Sequence, residues 1–285
     1  MKRALLSAIR GMLRPFGWGV APAPVLDQEL NNTAVMRGVA RALADRVRAE
    51  FVRHGFAADD AWFDRLEGEI RFWFGYFATG GIEYGGRERI EAISRPYAFQ
   101  FEPLYSGLSD GVRISALDVG AGPLSQVGTL SGRLNVFLRA VDPLAPAYDA
   151  ILDLFGVGRP VVTEFGVAEH LVGQFTEGSI DLVHARNSLD HALDPLTCIE
   201  QMASLVRPSG WIVLDHADRE GDQQGFQGLH RWNLFVSDGQ YRIEDASGRE
   251  RAFDHQAHGF TARFESYVGG GKPWTRAFFQ RRGAT

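Results

Sequence analysis

The feature that most constrains the fold is an apolar stretch that runs directly into a turn rich in glycine. Residues 112–119 are mostly apolar and predict a buried strand, and Gly120-Ala121-Gly122 follows it. Glycines at this spacing let backbone N–H groups approach a ligand where side chains would clash. Asp118 lies inside the predicted strand, where a charge is costly unless it has a polar partner. The stretch therefore predicts a ligand-binding turn at the end of a strand.

A second apolar strand is predicted over residues 136–141, and it ends in Asp142-Pro143. An acidic residue at the end of the second strand, about 20 residues beyond the glycine turn, is where nucleotide-binding sheets hold the hydroxyls of a ribose. Ser125 stands where the dinucleotide fingerprint has its third glycine, so the glycine pattern alone also fits a plain strand-to-helix turn. Gly128 and Gly132 weaken the helix that we expect between the two strands.

Strands and helices alternate along the middle of the chain. Strands are predicted at residues 113–119, 136–142, 160–165, 180–185 and 210–215. This alternation predicts a parallel sheet covered by helices on both faces, with ligands bound at the carboxyl ends of the strands. Further predictions are a helix that begins at Asp194-Pro195, a polar loop over 218–228, an Asp238-Gly239 hairpin, and strands over 260–268 and 274–280 joined by Gly269-Gly270-Gly271.

Five motifs fall at the predicted strand ends: Leu117-Asp118-Val119-Gly120-Ala121-Gly122, Val141-Asp142-Pro143, Ala168-Glu169, Ile180-Asp181-Leu182-Val183 and Val206-Arg207-Pro208-Ser209-Gly210. With these motifs, the stretch from Arg113 to Asp215 resembles the class I S-adenosylmethionine-dependent methyltransferases. The resemblance implies an α/β fold with a doubly wound, seven-stranded Rossmann-like sheet of strand order 3-2-1-4-5-7-6, which ends in an antiparallel pair.

The resemblance also implies that S-adenosylmethionine is the cofactor. Its methionine moiety would lie against Gly120-Ala121-Gly122, and Asp118 would attract its ammonium group. Asp142-Pro143 would border the ribose, because the Asp142 carboxylate offers two acceptor oxygens and no donor. Ala168-Glu169 would border the adenine, and Arg186-Asn187 would lie near the methionine end and the methyl group. Two of these residues have alternatives, since Asp142 also suits the cap of the next helix and Glu169 suits a surface helix start.

Three histidines follow predicted strands at the carboxyl edge of the sheet, namely His191, His216 and His230. Methyl transfer is an in-line displacement for which an enzyme supplies proximity and, with a hydroxyl acceptor, a base. Each histidine is a candidate base, oriented by Asp190 or Asp215, and each equally fits a structural role. Three histidines in these loops favour methylation of an oxygen.

Some sugar O-methyltransferases use a divalent ion held by carboxylates and amides, so such an ion stays an alternative. No metal site is predicted, because the chain has no compact ligand motif of the kind that identifies zinc. The carboxylates close in sequence to the candidate histidines are Asp190, Asp194, Asp215 and Asp218.

The acceptor is suggested only by a looser similarity. Residues 122–124, 190–195 and 228–233 resemble methyltransferases of bacterial surface-polysaccharide clusters, which implies a sugar or another small hydroxylated acceptor. Two alternatives stay open. One is an NAD-dependent oxidoreductase, against which Ser125 and the position of Asp118 argue. The other is a scaffold that binds S-adenosylmethionine without catalysis.

Three regions are predicted along the chain. Residues 1–24 form a basic amphipathic segment that either contacts an anionic membrane surface through residues 1–18 or docks on its own domain. Residues 25–108 form a helical extension, with helices over 27–51, 60–77 and 87–94, whose aromatic stripe forms core or walls a substrate cleft. Residues 109–285 form the methyltransferase domain.

Composition narrows the partners. A net charge of -5 and an isoelectric point near 5.9 predict no nucleic-acid partner. The single cysteine, Cys198, excludes an internal disulfide and favours a reducing cytoplasm. No apolar run has the length of a membrane-spanning helix. The oligomeric state is left open.

Overall fold

The computed structural model describes residues 34–81 and 86–283. The predicted segment 1–24, with its membrane contact, and the first residues of the predicted helix 27–51 lie outside the described residues. None of the described helices is long and apolar enough to cross a membrane.

The described helices are α1 (Ala34–His54), α2 (Asp60–Ala78), α3 (Gly86–Ile93), α4 (Ala145–Phe155), α5 (Pro195–Leu205) and α6 (Glu220–Gln223). The strands are β1 (Arg113–Val119), β2 (Asn135–Asp142), β3 (Thr163–Phe165), β4 (Ile180–Arg186), β5 (Val206–Ala217), β6 (Trp232–Ser237), β7 (Gln240–Asp245), β8 (Glu250–Phe253), β9 (Phe260–Gly269) and β10 (Lys272–Arg281). Short 3-10 helices span Glu102–Tyr105, Ala168–Gly173 and Leu189–His191.

The main sheet has seven strands in the order β3-β2-β1-β4-β5-β10-β9. Strands β1 to β5 are parallel to their neighbours, whereas β10 is antiparallel to both β5 and β9. Counted within this sheet alone, β9 and β10 are the sixth and seventh strands, so the order is 3-2-1-4-5-7-6. The predicted α/β class with a Rossmann-like sheet is confirmed.

Helices α1 and α2 form a layer that packs over α4. The Asp59 side chain caps α2 by accepting a hydrogen bond from the backbone N–H of Trp62 (2.5 Å). The buried face of α2 repeats every three or four residues, as Trp62, Leu66, Ile70, Phe74 and Phe77. These side chains share one hydrophobic core with Tyr148, Ile151 and Leu152 of α4. The predicted aromatic stripe is therefore mainly core, and Trp62 also borders a cleft at the carboxyl ends of the strands.

The helix expected between β1 and β2 is absent, and that prediction was wrong. All of residues 120–134 are described, and none of them is helical. Residues 127–130 instead pair with residues 97–100 through four backbone hydrogen bonds of 2.8 to 3.0 Å. Gly128 permits this pairing, because its φ is 79° and a Cβ there would overlap the Ala98 carbonyl group.

Smaller differences concern strand lengths and the segment after β5. Strand β3 begins at Thr163 rather than at 160, where Pro160 has no N–H to donate to a ladder. Strand β5 is longer than predicted because Ile180 pairs with Val206 before a register shift. The predicted polar loop 218–228 contains the short helix α6.

A second, three-stranded antiparallel sheet lies between β5 and β9 in the chain, in the order β6-β7-β8. The predicted Asp238-Gly239 hairpin joins β6 to β7, and both residues have positive φ, 52° and 71°. No sequence pattern predicted β8. The predicted helix start is confirmed, because Asp194 caps α5 by accepting a hydrogen bond from Leu196 N (3.0 Å).

Candidate active site

A cleft of about 630 Å³ opens at the carboxyl ends of the central strands, beneath the layer of α1 and α2. Residues just past the strand ends form one wall, namely Gly120, Asp142, Pro143, Gly166, Ala168, Glu169 and Ser188. The helical layer supplies the opposite wall through Phe51, Trp62 and Glu69. The cleft therefore lies at the edge of the sheet where the sequence places a ligand.

The glycine turn closes tightly over the end of β1. Gly120 and Gly122 have φ values of 62° and 64°, in the left-handed region that glycine adopts without strain. A Cβ on Gly120 would also overlap the Ser188 side chain. Ala121 N donates to the carbonyl oxygen of Val141 (3.1 Å), which fixes the turn against β2. Glycine at 120 is thus required both by the backbone and by its neighbour.

Asp118 is buried beneath this turn, and both of its oxygens are engaged. Ser125 Oγ donates to Asp118 Oδ2 (2.6 Å), and His184 Nδ1 lies 2.7 Å from Asp118 Oδ1. These are the polar partners that a charge inside a strand requires. Asp118 does not line the cleft, so its attraction of an ammonium group stays a prediction.

Asp142 lies in the cleft and ties β2 to the glycine turn. Its Oδ2 accepts a hydrogen bond from Gly122 N (3.0 Å), and its Oδ1 accepts one from Leu144 N (2.8 Å). Burial raises the pKa of Asp142 to about 6, although the N–H groups of Leu144 and Gly122 favour the ionised form. The carboxyl group is thus preorganised. It does not cap α4, because Leu144 is the N-cap residue of that helix and no side chain caps it.

Glu169 lines the cleft and also holds a neighbouring loop. It lies in the 3-10 helix after β3, and its Oε1 accepts hydrogen bonds from Leu193 N (2.8 Å) and Asp194 N (3.2 Å). The alternative for Glu169, a surface helix start, describes part of its position, because Glu169 is half-buried in the first turn of this helix. Ala168 precedes it in the same wall.

Arg186 and Asn187 do not line this cleft. Arg186 Nη1 donates to Asp215 Oδ2 (3.0 Å) and lines a separate open groove of about 1280 Å³. Asn187 has a φ of 46°, and its Oδ1 accepts a hydrogen bond from Ala217 N (3.0 Å). Both residues join β4 to β5, and their predicted position near the methyl group stays a prediction. Ser188, which the sequence reading missed, reaches the cleft instead.

Two of the three candidate histidines meet at the cleft. His191 Nε2 lies 3.1 Å from His230 Nδ1, and His230 Nδ1 lies 2.7 Å from Asp190 Oδ2. Burial disfavours a charged His230 ring, but the hydrogen bond and charge of Asp190 outweigh it and raise the pKa of His230. His191 itself lines the cleft. The three side chains form a triad that can exchange a proton with a bound molecule.

His216 lies apart from this triad. It is buried, and neither ring nitrogen has a hydrogen-bond partner among the described residues. Burial lowers the pKa of His216 to about 4, so the ring is neutral at physiological pH. It does not line the cleft, and its predicted catalytic role has no support from its position.

The helical layer contributes cleft residues that the sequence reading did not single out. Trp62 Nε1 donates to the carbonyl oxygen of His191 (2.9 Å), and Trp73 Nε1 donates to Glu69 Oε1 (2.8 Å). A signal for Glu69 was present, because this carboxylate interrupts the apolar face of α2 between Leu66 and Ile70. Its position on that face places it over the cleft.

The electrostatic character of the cleft is acidic. Its carboxylate and imidazole lining residues are Glu69, Asp142, Glu169 and His191, and no lysine or arginine is among the described residues that line it. The remainder of the lining is mainly apolar or aromatic, including Leu144, Tyr148, Leu189 and Leu229. Such a cleft suits a molecule that is neutral or positively charged, with a flat or apolar part.

A protein-family model described as a methyltransferase domain matches residues 86–262, more than half of the chain. The chain belongs to this methyltransferase family. The match begins at α3 and includes every strand end that forms the cleft.

Curated relatives of this methyltransferase include the ubiquinone biosynthesis O-methyltransferases of Xanthomonas campestris pv. campestris (strain B100) and Xanthomonas oryzae pv. oryzae (strain PXO99A). Each is 32% identical over 111 residues, which is 38% of this chain and 44% of the relative. The chain thus aligns with less than half the length of these relatives.

Similar solved structures include phosphoethanolamine N-methyltransferase 2 of Haemonchus contortus in complex with S-adenosyl-L-methionine. It is 12% identical, with a TM-score of 0.46, over 79% of this chain and 59% of the other. Another is the 1,6-didemethyltoxoflavin-N1-methyltransferase of Burkholderia thailandensis, at 15% identity and a TM-score of 0.41, over 80% of this chain and 92% of the other. Both TM-scores are below 0.5, and nothing about the substrate of this methyltransferase follows from them.

Proposed function

We propose that this methyltransferase binds S-adenosylmethionine in the cleft and transfers its methyl group to a hydroxyl oxygen of an uncharged acceptor. The observation that carries the proposal is that Gly120 of the glycine turn, the Asp142 carboxylate and His191 line one cleft, and that His191 contacts His230, which is hydrogen-bonded to Asp190. The first two suit the cofactor, and the triad suits a hydroxyl that must lose its proton.

The strand side of the cleft has the groups that the cofactor needs. Each oxygen of Asp142 accepts one backbone N–H, and a carboxylate has about four acceptor positions in all. Two positions therefore remain for the ribose hydroxyls. Apolar residues on the same side, Leu144, Val167, Ala168 and Leu189, provide a slot for adenine. The acidic lining favours the positive charge of the sulfonium and ammonium groups.

The reaction that we propose is a single displacement. The acceptor oxygen attacks the methyl carbon, the carbon–sulfur bond breaks with its electron pair on sulfur, and neutral S-adenosylhomocysteine leaves. The hydroxyl proton passes to His191, which lines the cleft. His230, hydrogen-bonded to Asp190, packs edge-on against the His191 ring and helps to hold it in position. The protein contributes alignment of the two reactants and removal of that proton.

An uncharged acceptor is supported by the cleft lining. A phosphate or carboxylate on the acceptor would lie among Glu69, Asp142 and Glu169, with no lysine or arginine among the described lining residues to pair with it. Oxygen as the methylated atom is supported by the triad and by the names of the curated relatives, which are O-methyltransferases. A sugar acceptor remains a prediction, as does membrane contact through residues 1–18.

Cofactor binding is tested by calorimetry with S-adenosylmethionine, using NAD as the competing cofactor. We expect the wild type to bind S-adenosylmethionine and not NAD, and Asp142→Ala to bind at least tenfold more weakly, about 1.4 kcal/mol. The control is Asp110→Ala, which removes an exposed carboxylate outside the cleft. Binding of NAD in place of S-adenosylmethionine would favour the oxidoreductase alternative.

Turnover is tested with neutral phenols, neutral glycosides and sugar phosphates, each at saturating S-adenosylmethionine. We expect methylation of a neutral class and none of the phosphates. His191→Ala should lower kcat by about 10²-fold or more with cofactor affinity unchanged. Cofactor binding without turnover on any hydroxyl class would favour the scaffold alternative.

A further inference from the structure

We propose that Asp190, His191 and His230 form a binding site for one divalent transition-metal ion. The carboxylate oxygen and the two ring nitrogens lie within 4.8 Å of one another. The sequence predicted no metal site because it contains no compact ligand motif. His230 lies 40 residues from Asp190 along the chain. Only the fold brings these three side chains together.

The distances among the three atoms fit a shared ion. They are 2.7 Å from Asp190 Oδ2 to His230 Nδ1, 3.1 Å from His230 Nδ1 to His191 Nε2, and 3.6 Å from His191 Nε2 to Asp190 Oδ2. Ligands about 2.1 Å from one ion, at octahedral or tetrahedral angles, are separated by about 3.0 to 3.4 Å. The observed separations extend slightly below and above that range, so small side-chain adjustments would allow one ion to bind all three atoms.

Hydrogen bonding alone leaves this triangle incompletely satisfied. His230 Nδ1 carries at most one proton, and Asp190 Oδ2, which is 2.7 Å away, accepts it. His191 Nε2 then faces a nitrogen that has no lone pair left to accept a hydrogen bond. The second oxygen of Asp190 is also buried without a partner among the described residues. A single cation would receive a lone pair from all three atoms at once.

The surroundings resemble those of a metal site with open coordination positions. Asp190 is buried, whereas the side chains of His191 and His230 are 21% and 24% exposed. Backbone contacts hold the ligands in place, since Trp62 Nε1 donates to His191 O and Arg231 N donates to Asp190 O, both at 2.9 Å. With three protein ligands on one side, the ion would keep free positions toward the cleft.

The donor set indicates which ions fit. Two imidazoles and one carboxylate suit Zn²⁺, Mn²⁺ or Fe²⁺, whereas Mg²⁺ and Ca²⁺ prefer oxygen ligands throughout. The role of the ion rests on the proposed function. In the metal-bound protein His191 Nε2 is a ligand, so the ion takes over the part that His191 plays in the metal-free protein. It would bind the acceptor hydroxyl and lower its pKa, and the proton would pass to water. The binding site itself does not depend on that role.

The site is tested on tag-free, chelator-treated protein titrated with ZnCl₂, MnCl₂ and MgCl₂ in a calorimeter, without cofactor or acceptor. We expect one equivalent of Zn²⁺ to bind with a dissociation constant in the micromolar range or below, and no Mg²⁺ to bind. His230→Gln and His191→Gln should each weaken Zn²⁺ binding at least tenfold. The control is His258→Gln, whose ring is 38% exposed and lies outside the triad.

A thermal-unfolding measurement distinguishes loss of the metal site from misfolding of a variant. Zn²⁺ should raise Tm for the wild type and for His258→Gln, and should raise it less for the partly exposed His191→Gln at the same Zn²⁺ concentration. Absence of saturable Zn²⁺ binding, or equal affinity in His230→Gln, would overturn the metal site. Because no cofactor is present, this outcome is distinct from a failure to bind S-adenosylmethionine. Turnover that is insensitive to chelation would overturn the role in methyl transfer.

Discussion

Asp142 and His216 are both buried, and burial shifts the pKa of each in the direction that favours the neutral side chain. The hydrogen-bond partners around the two residues differ. Asp142 is preorganised by two backbone N–H groups at the cleft wall. His216 has no hydrogen-bond partner among the described residues. The pKa shift of Asp142 bears on ligand binding, whereas that of His216 bears on stability. Each is therefore tested by a different measurement.

Affinity for S-adenosylmethionine should depend on pH through Asp142. The ribose hydroxyls donate to the ionised carboxylate, whereas the free protein holds a proton there below its pKa of about 6. Binding therefore releases this proton at low pH, and affinity rises with pH up to about 6 and then levels off. At pH 5 the dissociation constant should be about tenfold higher than at pH 7.

The measurement is calorimetric titration between pH 5 and 8, with Asp142→Asn as the matched control. The amide cannot ionise, so its affinity should be weak at every pH. A pH profile of the same shape in Asp142→Asn would show that another group is responsible.

Acid sensitivity of the fold should depend on His216. Its pKa in the folded protein is about 4, below the value near 6.5 of an unfolded chain, so the unfolded state binds the proton first as pH falls. The free energy of unfolding therefore falls as the pH decreases from 6.5 to 4, and protonation of this residue accounts for about 3 kcal/mol of the decrease. Below pH 4 this residue causes no further loss.

The comparison is between the wild type and His216→Phe by urea unfolding at pH 7 and pH 4.5. Between pH 7 and pH 4.5 the variant should lose less stability than the wild type. Other titrating groups contribute equally in both proteins, so their effects cancel when the two losses are compared. Equal losses in the two proteins would exclude His216 as the source.

Among the secondary-structure elements, α2 connects the most parts of the site. Its N-terminus is fixed by Asp59, whose Oδ1 accepts from Trp62 N (2.5 Å) and whose Oδ2 pairs with Arg231 Nη1 (3.1 Å). Arg231 directly follows His230 of the triad. The first turn of the helix and the triad are therefore held by the same carboxylate, and Trp62 adds a hydrogen bond to the backbone of His191.

Removing the cap should loosen this connection. Asp59→Ala is expected to lower the free energy of unfolding by about 1 kcal/mol, which is typical of a lost N-cap. Asp59→Asn keeps the capping oxygen and loses only the partly exposed ion pair, so it should cost less. Both are measured by denaturant unfolding. Equal costs for the two variants would assign the effect to the ion pair and not to the cap.

Across the whole molecule, the sequence predicted the regular part of the fold well. Strands were recognisable because each central strand is a short apolar run that ends in a turn or an acidic residue. The place of Asp142 followed from the same reasoning, since the carboxyl ends of parallel strands share one edge. The sequence was therefore sufficient to place a strand or a residue wherever its position depends on neighbouring residues in the chain.

Sequence reasoning failed where distant segments decide the outcome. Asp118 pairs with His184, 66 residues away, and nothing near either residue marks the other as its partner. Glu69 reaches the cleft only because α2 docks over the strand ends. The crossover helix was expected from the alternation of elements, but pairing with residues 97–100 replaced it. Each failure is a long-range contact that no local pattern encodes.

The pairing of residues 97–100 with 127–130 has a consequence for dividing this protein into parts. Phe99, Phe101 and Tyr105 are buried in one core with the central strands, and Tyr105 donates its hydroxyl to the Asp181 carbonyl (3.0 Å). A fragment that starts at residue 109 would leave that face of the sheet open to water. The catalytic half therefore cannot be excised or grafted at that point, and any minimal fragment must begin upstream of Tyr97.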